Sequence, residues 1–278
     1  MFTFPLACAV GLIALSFFLG STQEVLTYED PKLTVSAFDT SAVTADAFSV
    51  FVMETGEELV SQNETMVLPI ASVTKLVTAS ALLHEEGIDT QLPVTVSDTA
   101  AEGRAGKLQA RDLYSSRELL SPLLLESSND AGSALLRRHS SLLEKMNALP
   151  ESLGLSHTRF VDTTGLSEQN VSTAAELGVL LRTLYTRDRH VFDLSTQKES
   201  IGAHTGWGNN NPVSAHKGFQ GGKHGFTEAA GRTLVAVFTE TLASGEQIEV
   251  GYTLLHSDDL KSDVEQLREQ VVKNVVYK

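Results

Sequence analysis

The chain has 278 residues, 42% of them hydrophobic, and a formal net charge of −14. That length supports a substantial core in one large domain, or in one domain with an embedded subdomain. The acidic balance argues against nucleic acid as a partner, since no basic stripe is available to neutralise phosphates. The single cysteine, Cys8, rules out an intramolecular disulfide and a thiolate metal site.

In chain order, residues Phe2 to Gly20 come first and are almost wholly apolar, with no charged side chain. About 20 such residues can span a bilayer as a helix. No basic leader precedes them, as a cleaved signal would require, and the first charges are acidic: Glu24, Glu29 and Asp30. Residues 1–23 are therefore expected to be a membrane anchor in preference to a cleaved signal. Either reading puts the remaining chain outside the cytoplasm, in the cell envelope or periplasm. Residues 24–45 are polar and irregular and are expected to be a tether. Residues 46–256 are expected to form the main domain and residues 257–278 a C-terminal amphipathic helix.

Within the main domain, Ala47 to Met53 alternates apolar and β-branched residues, Glu54-Thr55-Gly56 is a turn signal, and Leu59-Val60 resumes a strand; together they predict a hairpin. Residues 72–86 predict a helix with Gly87 at its C-terminal cap. Two leucine-rich amphipathic stretches follow, 112–126 and 130–143, broken at Ser127–Asn129. Residues 173–185 predict another helix, 188–217 a loop-rich region, and 232–241 (RTLVAVFTET) a strand. The last segment has apolar Leu260, Val264, Leu267 and Val271 among charges, and a capping box at Ser262-Asp-Val-Glu265. Strands at both ends with helices between predict an α/β (α+β) fold: an antiparallel sheet built from distant segments, flanked by helices, with an inserted helical subdomain.

Three short motifs carry chemistry. Ser72-Val73-Thr74-Lys75 is an S-x-x-K set. Residues three apart share a helix face, so the hydroxyl can meet the amine. A buried lysine near other cations loses its proton more easily and can take that of the serine. Read alone, the set also fits any exposed helix. Ser127-Ser128-Asn129 is an S-x-N set in a helix break. Read alone it fits helix capping better; the functional reading is a hydroxyl that relays a proton beside an amide that holds substrate backbone. Lys223-His224-Gly225 precedes the strand at 232–241. There a glycine permits close backbone approach, and Lys223 can attract a carboxylate. The histidines show no metal-ligand spacing such as H-E-x-x-H, and neither metal nor cofactor is implied.

In this order the three motifs match the S-x-x-K, S-D-N and K-T-G sets of penicillin-binding proteins and class A β-lactamases. The stretches PIASVTKLVTA (69–79), LLLESSNDAGSALL (123–136), LGLSHTRFVDTTGLSEQNVSTAAEL (153–177) and GGKHGFTEAAGRTLVAV (221–237) extend the match. Over roughly residues 33–256 the chain resembles the low-molecular-mass penicillin-binding proteins of the D-alanyl-D-alanine carboxypeptidase family. The resemblance implies the penicillin-binding protein/β-lactamase-like transpeptidase fold. It implies a serine-type D-Ala-D-Ala carboxypeptidase acting on peptidoglycan stem peptides and acylated by β-lactams. It also implies residue roles: Ser72 as nucleophile, Lys75 as general base and Ser127 as proton shuttle, with Asn129, Lys223, His224 and Gly225 on the substrate and the backbone N–H groups of Ser72 and Phe226 on the oxyanion. His224 departs from the family's threonine; an imidazole can still donate a hydrogen bond, but it is bulkier. The alternatives are a D,D-endopeptidase that cuts cross-links with the same residues, a non-catalytic relative disabled by His224, and a β-lactamase using Glu168 and Asn170.

Overall fold

Residues 33–45 belong to the segment expected as a tether, yet they pack on the folded domain. In β1 (Leu33–Val35) the chain pairs antiparallel with its own residues 275–277. Thr44 gives its N–H and hydroxyl to the two carboxylate oxygens of Asp263, at 2.8 and 2.9 Å. The computed structural model describes residues 33–104 and 106–277; the apolar run at 2–20 lies outside the described residues. Among the described residues, no helix is long and apolar enough to cross a membrane.

The expected hairpin forms from β2 (Ala47–Val52) and β3 (Glu58–Gln62), turning at Gly56 with φ +77°. The short strand β4 (Leu68–Pro69) leads into a 3-10 turn at Ala71–Val73 and then α1 (Thr74–Leu83). This helix ends three residues earlier than the spacing predicts, and Gly87 takes its left-handed conformation in the turns beyond it. The stretch 112–126 is not one helix. After β5 (Leu92–Pro93) comes its partner β6 (Leu113–Tyr114), and only Leu120–Leu125 is helical, as α2. The cause is a capping box: Ser115 N–H donates to Glu118 Oε2 at 2.7 Å and Glu118 N–H donates to Ser115 Oγ at 3.2 Å, so helical turns start there.

The second leucine-rich stretch divides as well, into α3 (Asn129–Arg138) and α4 (Leu142–Ser152), the latter carrying Pro150. After β7 (Val171–Ser172), Thr173 caps α5 (Ala174–Arg187) by accepting from Glu176 N–H at 3.1 Å. The region expected as loops holds α6 (Arg189–Thr196) and the pair β8 (Glu199–Ile201) and β9 (Gly206–Gly208). Three long strands follow: β10 (Phe219–Thr227), β11 (Gly231–Thr241) and β12 (Gln247–Ser257). The chain closes with α7 (Leu260–Asn274) and β13 (Val275–Tyr277). Asp259 caps α7, accepting from Ser262 N–H at 3.2 Å, so Ser262 lies inside the first turn and is not the cap.

The fold is α+β: besides four two-stranded pairs among the described residues, it has a five-stranded antiparallel sheet in the order β10-β11-β12-β2-β3. Side chains alternate across it with period two. Phe51, Val235, Val237 and Leu255 join the helical core built from α1 to α6. Phe48, Val50, Leu234, Ala236, Phe238 and Leu254 face the other way and are covered by Leu260, Val264, Leu267 and Val271 of α7. Both faces are therefore buried, and every residue of β2 is buried with them. The helices α1 to α6 are inserted between β3 and β10, and α1 runs through their core with Thr74, Lys75, Thr78 and Ser80 buried along with its apolar residues. Strand β10 is left at the sheet edge, against the turn that begins α1.

Candidate active site

The site forms where the 3-10 turn Ala71–Val73 meets the edge strand β10. Ala71 has φ +47°, a left-handed conformation costly for a residue with a side chain. Neighbouring segments impose it. Ile70 N–H donates to Asn170 O at 3.0 Å, and Thr233 Oγ1 donates to Ile70 O at 2.9 Å. Two glycines let other backbone press against the turn. A Cβ at Gly165 would lie 1.8 Å from Ala71 O, and one at Gly225 would lie 2.6 Å from Ser72 N. The result is a half-buried Ser72 whose N–H faces β10.

Lys75 is fully buried one helical turn on. Its Nζ lies 2.8 Å from Ser72 Oγ, 2.8 Å from Asn129 Oδ1 and 2.6 Å from Thr164 O. Two of these partners, an amide oxygen and a backbone carbonyl, can only accept. A neutral amine has two N–H groups and one lone pair, so once both N–H groups are used the lone pair is left facing the serine hydroxyl. Burial pushes the Lys75 pKa down to about 7, against the opposing pull of the Asp162 carboxylate.

Thr164 and Asp162 are positions to which the sequence analysis assigned no role. Asp162 accepts from the N–H groups of Thr164 (2.6 Å), Gly165 (2.7 Å) and Ser167 (2.8 Å), and from Thr164 Oγ1 (2.9 Å). Although burial raises its pKa, these hydrogen bonds together hold it below the ordinary carboxylate value. Asn170, also buried, takes Val161 N–H at 2.8 Å on its Oδ1 and donates to Thr74 Oγ1 at 3.1 Å. The loop is thereby folded so that the Thr164 carbonyl points at Lys75. An Asp-Thr-Thr-Gly turn followed by a buried Asn is the signal that could have revealed it. The carboxylate expected of a β-lactamase does not take shape: Glu168 is exposed, and Asn170 is occupied in holding the loop.

The S-x-N set divides its labour. Ser128 is the N-cap of α3, accepting from Ala131 N–H at 3.0 Å. Ser127 is buried in a left-handed conformation, φ +63°, and Asn129 reaches Lys75 with its oxygen while its Nδ2 donates to Glu102 O at 2.7 Å. Capping therefore belongs to the middle residue, and Asn129 is the one that reaches Lys75.

On β10, Lys223 is 1% exposed and its Nζ donates to His224 O at 2.6 Å. Burial first, then the charges of Lys75 and Arg104, bring its pKa well below the usual lysine value. His224 is held well below its ordinary value by burial and by Lys223, Arg104 and Lys75, so its imidazole is neutral. Among the described residues, its buried Nδ1 has no protein partner. Phe226 is 59% exposed at the end of the strand, with Arg232 over its ring at 5.5 Å. Of the expected residues, Lys75 and Gly225 lie against Ser72 and Asn129 reaches it through Lys75, while the 162–170 loop adds the Thr164 carbonyl that the motifs did not point to.

The sequence profile of the family described as D-alanyl-D-alanine carboxypeptidase matches residues 34–247. A D-alanyl-D-alanine endopeptidase of Pseudomonas aeruginosa is 38% identical over 133 residues, 46% of this chain and 43% of that protein. A second, from Escherichia coli K12, is 32% identical over 198 residues, 66% of this chain and 63% of that protein. The chain thus spans less than two thirds of the length of these curated relatives. Among solved structures, penicillin-binding protein D2 from Listeria monocytogenes in its cefotaxime-bound form is 28% identical, with a TM-score of 0.73 over 83% of this chain and 98% of that one. The D-alanyl-D-alanine carboxypeptidase of Mycobacterium tuberculosis H37Rv shares the fold, with a TM-score of 0.73 at 22% identity over 85% of this chain and 92% of that one.

Proposed function

The chain belongs to the D-alanyl-D-alanine carboxypeptidase family, and from that premise we propose that it is a serine-type D,D-peptidase that cleaves D-Ala-D-Ala in peptidoglycan stem peptides through an acyl-enzyme on Ser72. Neutral Lys75 takes the Ser72 proton as Oγ attacks the carbonyl carbon. The N–H groups of Ser72 and Phe226 receive the oxyanion. As the C–N bond breaks, the departing D-alanine amine takes a proton delivered from Lys75 through Ser127. Water then attacks the ester and returns the proton to Ser72. Asn129 and the Lys223-His224-Gly225 strand hold the substrate, with neutral His224 as a hydrogen-bond donor in place of the family's threonine. The observation that carries the reading is buried Lys75 Nζ at 2.8 Å from Ser72 Oγ, with two obligate acceptors, Asn129 Oδ1 and Thr164 O, as its other partners, so that the neutral amine can turn its lone pair to the hydroxyl.

β-Lactams, which mimic the D-Ala-D-Ala bond, are the corresponding inhibitors. A labelled penicillin should acylate the wild type on the peptide containing Ser72, and an adduct that persists in Ser72→Ala overturns the assignment. The relatives named endopeptidases favour a second reading, cleavage of D-Ala cross-links by the same residues. Mass spectrometry of products from purified peptidoglycan separates the two: loss of single D-alanines marks the carboxypeptidase, and monomers released from dimers mark the endopeptidase. Such a substrate places the action outside the cytoplasmic membrane, with residues 2–20 as the anchor. Recovery of a soluble mature form that begins near residue 21 would replace the anchor with a cleaved signal.

A further inference from the structure

Ser127 can relay a proton only while its hydroxyl keeps one direction, and its backbone sets that direction. Its φ of +63° is a left-handed conformation that a residue with a side chain keeps only where its surroundings impose it. The peptide planes on either side impose it. After Ser127, Ser128 N–H donates to Pro122 O at 2.9 Å and Asn129 N–H to Arg104 O at 2.7 Å. Before Ser127, the Glu126 carbonyl accepts from Asn210 Nδ2 at 2.9 Å, and the Leu125 carbonyl accepts from Asn210 N–H at 3.0 Å. A peptide plane is rigid, so pinning one on each side fixes φ and ψ of Ser127 and aims its Cβ. Lys107 and Gly208 also reach Glu126, but they hold its side chain and not its carbonyl.

Asn210 itself stands on a fixed base. It lies between β9 and β10 in the run Asn209-Asn210-Asn211. Asn209 Nδ2 donates to Ser195 O at 2.8 Å and to Gln197 O at 2.9 Å at the end of α6, and Asn209 Oδ1 accepts from Asn211 N–H at 3.0 Å. Ser195 Oγ in turn accepts from Gly222 N–H of β10 at 2.9 Å. Contacts thus run unbroken from β10 to the peptide that precedes Ser127. Asn210 Oδ1 is buried and, among the described residues, has no protein partner. A buried amide oxygen left unpaired costs stability, so it is the donor end of this amide, on the Glu126 carbonyl, that holds its place.

We propose, on the serine-peptidase reading with Ser127 as proton shuttle, that Asn210 is a positioning residue: it holds the Glu126–Ser127 peptide so that the Ser127 hydroxyl stays on the path to the leaving group. Without its donor the plane can turn, relieve the strain at Ser127 and carry the hydroxyl away.

The loss should depend on the leaving group. An amide nitrogen departs only as it gains a proton, whereas a thiolate, whose parent thiol has an ordinary pKa of about 8.5, departs without one. The test measures kcat/KM on diacetyl-L-Lys-D-Ala-D-Ala and on the thioester in which D-thiolactate replaces the last D-alanine; both keep the terminal carboxylate. Asn210→Leu keeps the volume and loses the donor. It should lower the amide-to-thioester ratio about fivefold or more, as expected for one lost hydrogen bond, and Ser127→Ala should lower it further. In a Ser127→Ala background, Asn210→Leu should not lower the ratio again, because the two act as a unit. A role in loop stability alone would slow both substrates equally, so a ratio unmoved by Asn210→Leu overturns the proposal, as does a full further drop in the double variant. If Asn210→Leu does not fold, Asn210→Ala reads the same ratio. A ratio unchanged in Ser127→Ala removes the shuttle and the proposal with it, and a wild type inert toward both substrates overturns the peptidase reading itself.

Discussion

The rate at which penicillin acylates Ser72 should follow the titration of Lys75. An ordinary lysine, with a pKa of 10.5, is neutral in roughly one molecule in 3,000 at pH 7. Lys75, lowered to about 7 by burial, is neutral in roughly half. The gain in available base is about 1,500-fold, and the difference in pKa corresponds to about 5 kcal/mol. Acylation should therefore rise about tenfold per pH step below 7 and level off above it. The sign of the stability effect follows from the same values. Between pH 7 and 10.5 the unfolded chain binds more protons at this site than the folded one, so the destabilisation caused by burying Lys75 is greatest below pH 7 and is relieved as pH rises through that window. Asp162 supplies an internal control. Its carboxylate raises the Lys75 pKa, so Asp162→Asn should move the acylation midpoint to lower pH. Stopped-flow measurement with a reporter β-lactam from pH 5 to 10 reads both. A rate that climbs to pH 10 without levelling, a midpoint that moves upward in Asp162→Asn, or normal acylation in Lys75→Arg, whose guanidinium stays charged, would refute the argument.

Gly225→Ala should cost most of the acylation rate, because its Cβ would lie 2.6 Å from Ser72 N and 2.7 Å from Thr233 Oγ1; adduct formation on folded protein, checked by circular dichroism, measures it. His224→Ala should lower kcat/KM on a D-Ala-D-Ala peptide about tenfold or more and His224→Thr should recover most of the loss; full activity in the alanine variant would make the side chain a spectator. Because His224 is held neutral, the wild-type profile should show no step from it between pH 6 and 8. Arg268→Met should destabilise the fold by about 3–5 kcal/mol, since it strips Glu240 of its charged partner at 2.6 Å and leaves a carboxylate that is 3% exposed; urea unfolding reads the loss.

Where function was legible in the sequence, short-range patterns carried it. The three-residue step from Ser72 to Lys75 already puts hydroxyl and amine on one helix face, and they meet at 2.8 Å. The spacing of Leu260, Val264, Leu267 and Val271 is that of one helix stripe, and all four are buried against the sheet. The alternation in 47–53 and 232–241 gives strands because side chains on a pleated backbone alternate faces. Residues 112–119 misled because their apolar pattern suits a helix while Ser115 and Glu118 cap one later in the chain. Strand β10 and helix α6 carried no clear periodic signal. They are specified by each other, with Gly221 and Gly222 fitted against Phe192 and Ser195.

By itself, the sequence determined the fold class, the order of the motifs and the meeting of Ser72 with Lys75, which is written in residues three apart. Tertiary structure alone decided that Lys75 can be a base at all. Its lowered pKa comes from burial, and the acceptors beside it are Asn129 and Thr164, 54 and 89 residues away in the chain. No local pattern records the solvent a side chain loses or the distant carbonyl it meets; packing of the helices against the sheet sets both.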